Sequence, residues 1–517
     1  MVTITDATRR RRKLPRFSPV VSAWMRRRFD APTEAQRLAW PAIAQGKSTL
    51  VFSPTGSGKT LAAFLWAVNE LVEVGERGAL PATPYVVYIS PLRALANDVE
   101  KNLLLPLAER RALAAELEAP FPDIEVTVRT GDTLAGERQR MLRRPPQLFI
   151  TTPESLYLML PSSFQEHLRA VRHVSVDEVH HLCGDKRGAH LALSLERLEE
   201  LQANPESRIR NSKSAGAFTR IGLSATQSPV DEIARFLLGR DDEGNERHCT
   251  VVDLGAHRAL DLRVLAPVPN LVEAKPEEVW QAIYEQLFEL ILEHRTTLVL
   301  CDSRHYAEQV AAKLNMLAEG RGLDLRIGAH QGSMSRPFRL ELEDKLRSGE
   351  LRARGDRNAG VGDRHRAPRS RLPSGTPKAG FRRFAACRAG RALAGADQQR
   401  ATVRHQPRRL GRVGGVDPRR MQDGSLEPVH FPTNCLDVVA QQVTAVAAMD
   451  ASTGQDLLRV SRRAYNFRSR SDADFDRVLQ QLSGRYRDSE LYDLPTRLSF
   501  DRASDQVTSA RGALTLV

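Results

Sequence analysis

The run Ser-Pro-Thr-Gly-Ser-Gly-Lys-Thr at residues 53–60 constrains the fold more than any other feature of this chain. It follows a short apolar run, Thr49 to Phe52, and precedes an amphipathic one, Phe64 to Val72. The expected unit is a buried strand, a glycine turn and a helix opening near Lys59, as in an α/β domain. Gly56 and Gly58 let backbone N–H groups approach a phosphate chain, and the helix N-terminus adds its positive dipole end. Thr55, Gly56, Ser57 and Gly58 therefore line the expected phosphate site. Lys59 is placed to reach the β and γ phosphates, and Thr60 to ligate Mg²⁺. The common form of this loop begins with Gly, where this chain has Ser53.

A second constellation lies about 120 residues on. The run Val-Arg-His-Val-Ser-Val-Asp-Glu-Val-His-His-Leu puts Asp177 and Glu178 at the end of an apolar, β-branched stretch. Such a stretch reads as a buried parallel strand, whose C-terminal end is where α/β sheets hold ligands. Asp177 suits a Mg²⁺ ligand, and Glu178 suits the group that orients and deprotonates water. Ser-Ala-Thr at 224–226 closes the series. The order describes an engine driven by a nucleoside triphosphate, with ATP and Mg²⁺ as cofactors.

With these residues in place the chain resembles the superfamily 2 DEAD/DEAH-box helicases. Pro-Thr-Glu-Ala-Gln, 32–36, is similar to the motif that reads adenine, with Gln36 as reader. Ser-Pro-Leu-Arg-Ala-Leu (90–95), Arg-Thr-Gly-Asp-Thr (129–133) and Thr-Thr-Pro-Glu-Ser-Leu (151–156) are similar to the nucleic-acid motifs of a first RecA-like domain. Each offers short hydroxyls, backbone amides and one cation, which hold phosphate and sugar without reading bases. The resemblance implies strand contacts by Arg93, Thr130, Gly131, Thr152, Pro153 and, from a motif within residues 295–314, Ser303. It adds His180 to the catalytic set and gives Ser224 and Thr226 the coupling role. Two further segments, 186–198 and 431–442, resemble the large helicase-related (Lhr) group. The implied partner is single-stranded or partly duplex nucleic acid, DNA favoured over RNA.

The resemblance covers residues ~18–353 and ~421–517 and implies tandem RecA-like P-loop domains followed by a winged-helix-like domain. The expected division is a basic tail (1–17), a first RecA-like domain (18–250), the start of a second (251–353), a broken block (354–420) and the winged helix (421–517). In the last part, Leu436–Met449 and Asp472–Tyr486 read as helices, while Leu494–Arg502 and Gly512–Val517 suggest strands. Relatives continue further, so the chain is expected to be shortened at Val517.

Charge locates the break. The net charge is +13 over 517 residues. Residues 354–420 carry a net +14 and contain no Ile, Glu, Tyr or Trp, leaving the remainder near neutrality. The excess is thus no evidence for a basic nucleic-acid surface. Gly, Pro and Arg dominate the block without apolar periodicity, as in a segment that forms no core and no paired strands. Read one base later, the codons of 354–366 permit Val-Ala-Thr-Ala-Thr-Leu-Glu-Leu-Gly-Ile-Asp-Ile-Gly. Those of 384–392 permit Leu-Gln-Arg-Val-Gly-Arg-Ala-Gly-His. Both resemble motifs of the second motor domain, so a frame shift is expected there. Arg388 and Arg391 fall near its phosphate-binding arginines by number alone.

Other classes are disfavoured. The chain has no run of 18 apolar residues and no apolar secretory core behind its basic N-terminus. The five cysteines, at 183, 249, 301, 387 and 435, form no CxxC pair, which points to neither a zinc site nor a disulfide frame. A reducing cytoplasm fits.

Overall fold

The computed structural model describes residues 13–53, 57–91, 93–203, 218–225, 227–254, 260–265, 267–270, 273–294, 297–301, 304–330, 353–356, 384–387, 398–403, 428–449, 452–485 and 496–510. The chain divides into two compact units, residues 1–255 with 427–517, and residues 256–426.

The first unit is built on seven parallel strands: β1 (Thr49–Phe52), β2 (Val86–Ile89), β3 (Val126–Arg129), β4 (Leu148–Thr151), β5 (His173–Val176), β6 (Thr219–Ser224) and β7 (Thr250–Asp253). Their order is β3-β4-β2-β5-β6-β1-β7. β1, β2, β4, β5 and β6 are buried along their whole length, as expected of strands covered on both faces. On one face lie α1 (Pro19–Arg28), α2 (Glu34–Ile43), α3 (Lys59–Glu76) and α4 (Arg93–Glu116), packed around Trp24, Trp40, Phe64 and Tyr88. On the other lie α5 (Ala135–Arg143), α6 (Pro153–Met159), α7 (Gln165–Leu168), α8 (Val179–Cys183), α9 (Lys186–Ala203) and α10 (Val230–Leu238).

The C-terminal part adds the helices α13 (Leu436–Ala447), α14 (Gly454–Arg463) and α15 (Asp472–Leu482), and a three-stranded sheet of β14 (Ser452–Thr453), β15 (Leu498–Asp501) and β16 (Gln506–Ser509). It shares one continuous apolar core with the α6–α10 face: Val438, Val443, Leu458, Phe467 and Phe475 join the cluster that holds Leu182, Leu191 and Phe236. A buried ionic network crosses the same seam. Glu196 on α9, 1% exposed, takes Arg220 from β6, Arg247 and Arg463 from α14. Gly239, at φ +66°, lies so close that a Cβ there would meet the Arg463 carbonyl and the Glu196 carboxylate at 2.5 Å. The two Lhr-like segments face each other here. On α13, Gln442 donates to the His190 carbonyl (3.2 Å) and to Ser194 Oγ (3.0 Å). Lys186 pairs with Asp437 at 2.7 Å.

In the second unit, α11 (Pro276–Glu293) and α12 (Arg304–Gly320) pack around Leu287, Phe288, Val310 and Leu314. Its sheet runs β10-β11-β9-β12-β13-β8, with β8 (Leu260–Leu265), β9 (Thr297–Cys301), β10 (Ile327–His330), β11 (Ala353–Asp356), β12 (Phe384–Cys387) and β13 (Gln398–Val403). The expectation that 354–420 contributes no paired strand is therefore corrected, because β12 and β13 and most of β11 come from it. Ladder pairing engages backbone N–H and C=O groups, which every extended segment carries whatever its side chains. β9 and β8 offer such ladders. β12 runs antiparallel to β9 and to β13, while the other neighbours are parallel. Among the described residues no helix is long and apolar enough to cross a membrane.

Candidate functional site

Strand order sorts the sequence motifs along one edge of the first sheet. The C-terminal ends of β3, β4 and β2 carry Thr130, Thr152 and Ser90 side by side. The ends of the adjacent strands β5, β6 and β1 carry Asp177, Ser224 and Ser53. One edge thus carries the two motif sets side by side, with the boundary between β2 and β5.

In the second group, Gly58 takes φ +82° just before α3. A Cβ there would meet Gln36 Nε2 at 2.6 Å, so the position requires glycine for backbone and space alike. Gln36 is held on both sides. Its Oε1 accepts from Thr33 N at 3.0 Å, closing a capping box on α2, and its Nε2 donates to the Gly58 carbonyl at 3.3 Å. Beside Gln36 opens a cavity of about 590 Å³ lined by Phe17, Met25, Phe29, Pro32 and Trp40. Its wall sets aromatic faces beside the Gln36 amide and the polar groups of Arg16, Arg26 and Asp30, which suits a flat polar heterocycle. Those aromatic lining residues escaped sequence reasoning, and the only signal was their clustering on both sides of Gln36.

Lys59 is buried, and its Nζ donates to the carbonyls of Ser53 (2.7 Å) and Ser224 (3.3 Å), tying the phosphate loop to the end of β6. Asp177 is 7% exposed. Burial raises its pKa above the ordinary carboxylate value, against the opposing pull of Tyr88 and of the Lys59 charge. Glu178 sits at φ +46°, an uncommon conformation for a non-glycine residue, and its N–H donates to Asp177 Oδ1 at 2.9 Å. Hard oxygen donors such as Asp177 and the Thr60 hydroxyl, at the start of α3, suit Mg²⁺.

His180 joins this pair to the end of β6. The Ala225 N–H donates to its Nδ1 at 3.3 Å. Nδ1 is therefore the acceptor, and Nε2 carries the proton toward Glu178 Oε2 at 3.3 Å. Ser224 Oγ lies 3.1 Å from the same Nδ1. Glu178, His180 and Ser224 thus form one contact chain from the acidic pair to the end of β6.

In the strand group, Thr152 caps α6 through Ser155 N, and Pro153 holds the first helical position. Thr130 Oγ1 accepts from Asp132 N, while the Gly131 carbonyl accepts from Arg138. Arg93 opens α4. Thr55, Gly56, Thr226, Ser303, Arg388 and Arg391 lie outside the described residues.

The fold and these motifs define the class. Residues 33–233 match the family model of the DEAD/DEAH box helicase, and residues 419–515 match the winged-helix domain of the large helicase-related protein. The chain is 40% identical to the ATP-dependent helicase Lhr-Core of Methanothermobacter thermautotrophicus over 485 residues, covering 91% of this chain and 53% of that protein. It is 37% identical to the Lhr helicase/probable uracil glycosylase of Mycolicibacterium smegmatis, covering 97% of this chain and 34% of that one. A solved structure of Mycobacterium smegmatis Lhr bound to ssDNA and AMP-PNP superposes with a TM-score of 0.77 at 37% identity, covering 97% of this chain and 61% of that chain. The DUF1998 helicase MrfA bound to DNA and AMPPNP shares the fold, with a TM-score of 0.67 at 17% identity. The chain thus carries a DEAD/DEAH box helicase domain followed by an Lhr winged-helix domain, and over most of its length it is similar to the Lhr-type ATP-dependent helicases. It spans about half the length of the archaeal relative and about a third of the mycobacterial one.

Proposed function

We propose that the first unit binds Mg²⁺-ATP on the β5-β6-β1 ends of its sheet and a single strand of nucleic acid on the β3-β4-β2 ends. The supporting observation is the side-by-side placement of the two motif sets along one parallel edge. Bound magnesium would neutralise charge on the phosphates, held by Asp177 and Thr60. Lys59 and the loop amides bind the phosphates. The Glu178 carboxylate orients water and takes its proton. His180, whose Nε2 lies 3.3 Å from Glu178 Oε2, packs against that carboxylate and relays its position to Ser224. Gln36 and the adjoining cavity take the base.

In this reading the cycle moves the protein stepwise along single-stranded or partly duplex nucleic acid. DNA is favoured over RNA because the similar mycobacterial structure holds ssDNA. Residues 354–420 as written supply no recognisable counterpart of the arginines that the second motor domain brings to the γ phosphate. Loss of such an arginine costs about 10³–10⁵ in rate. Turnover by this chain is therefore strongly impaired. A non-catalytic role, binding nucleotide or nucleic acid alone, is the second reading, and the same block favours it. Oligo(dT)-stimulated phosphate release, with binding of a fluorescent ATP analogue measured alongside, tests both. Analogue binding with turnover at an intact relative's rate refutes the impairment. Failure of the analogue to bind refutes the nucleotide site.

A further inference from the structure

The structure gives Arg187 a place that none of its motifs assigns. It lies in the first turn of α9, outside the phosphate and strand motifs. Its Nε donates to Glu154 Oε1 at 2.6 Å, in the loop-helix segment that follows β4. Its Nη2 donates to the Pro91 carbonyl at 2.9 Å, in the loop that follows β2. One guanidinium therefore joins two adjacent strand-binding loops. Its planar fork suits this, since both bonds leave in fixed directions.

The local chain explains how the side chain gets there. Gly188 comes so close to α8 that a Cβ would lie 1.7 Å from the Leu182 carbonyl, a contact no other residue allows. Asp185 Oδ1 accepts the Gly188 N–H at 3.0 Å and fixes the turn into α9. Glycine at 188 thus seats the start of α9 against α8, and the preceding arginine is turned toward the loops. The far half of α9 is immobilised by Glu196, so the arginine projects from a fixed mount.

We propose that Arg187, paired with Glu154, is a positioning residue that holds the turn after β2 and the start of α6 in the register needed to grip consecutive phosphates. The proposal rests on the strand site proposed above. Arg187 has its charge already paired with Glu154, and two of its five donors are used on Glu154 and the Pro91 carbonyl. It acts through the amides and hydroxyls of the loops.

Glu154→Gln separates this role from simple electrostatics. Removing a negative charge beside a bound strand favours binding if charge alone matters. Loss of the brace weakens it. With the full chain and fluorescent oligo(dT), Glu154→Gln and Arg187→Met are each expected to weaken binding about three- to tenfold. The slope of log K against log salt should stay as in wild type. A phosphate contact by Arg187 itself would lower that slope by about one. Tighter binding by Glu154→Gln, or a slope lowered by about one in Arg187→Met, overturns the positioning role. Hydrogen exchange without nucleic acid gives a separate reading, because both variants should speed exchange in the peptide covering 90–96. Unchanged exchange there overturns the brace. If wild type fails to bind oligo(dT), the strand site falls, and the exchange result still decides whether the brace exists.

Discussion

Replacing Glu196 by Gln is the sharpest test of how the winged-helix part is fastened to the first sheet. Glu196 Oε1 accepts from Arg220 (2.8 Å) and Arg247 (3.0 Å), and Oε2 accepts from Arg247 (3.0 Å) and Arg463 (3.1 Å). Glutamine keeps one acceptor oxygen and turns an NH₂ group toward guanidinium donors. Breaking a buried pair typically costs about 3–5 kcal/mol. Each arginine keeps a second carboxylate: Arg220 at 2.5 Å and Arg247 at 2.8 Å from Glu199, Arg463 at 2.9 Å from Glu200. The expected loss is therefore near the lower end, about 3 kcal/mol. Urea unfolding followed by tryptophan fluorescence reads it, since Trp24 and Trp40 lie in the first unit's core. Arg463→Met removes one of the same bonds, so the double variant should lose at least about 1 kcal/mol less than the sum of the singles. A Glu196→Gln protein within about 0.5 kcal/mol of wild type, with additive effects, would refute the argument.

Lys59→Ala removes the cation of the proposed phosphate site and should weaken ATP-analogue binding at least about tenfold, read by fluorescence titration. Arg470 is 2% exposed, its three guanidinium nitrogens make no hydrogen bond among the described residues, and its cation stands over the Phe467 ring at 5.1 Å. Arg470→Leu should accordingly stabilise the protein by about 1–3 kcal/mol in the same urea assay, and destabilisation would show that the contact with the Phe467 ring outweighs the cost of burying the cation. His190 faces Arg197, Glu154, Gln441 and Tyr157, and burial, then the Arg197 charge, lowers its pKa from 6.5 to about 4. The unfolded chain therefore takes up this proton first, so stability is whole above about pH 6.5 and falls as pH drops toward 4. Between pH 7 and pH 5 the loss from this group is about 2 kcal/mol, and His190→Gln should flatten that part of the profile.

The sequence made the chemistry legible where a motif is local. The run 49–60 already showed strand, turn and helix, and β1 and α3 fall where it placed them. The helices at 436–447 and 472–482 were equally visible in their apolar periodicity. What stayed hidden is non-local. Gln442 and Ser194 are 248 positions apart, and no local pattern reveals that one Lhr-like segment packs on the other. The cavity beside Gln36 draws on Phe17, Phe29 and Trp40 from separate turns of the chain, so only folding assembles it. Arg187 drew no role of its own within the Lhr-like segment 186–198, because its partners, Glu154 and Pro91, follow other strands. Strands β11 to β13 escaped for a different reason: pairing by the backbone leaves no apolar signature in the side chains.

The most direct test compares phosphate release, with and without oligo(dT), by the chain as written and by a chain whose 354–420 segment is restored to the shifted frame. The account predicts that the restored protein turns over about 10³-fold faster or more, and that Lys59→Ala in it returns the rate to background. Equal rates from the two proteins would contradict it, because residues 354–420 as written would then supply the groups that the account says are missing.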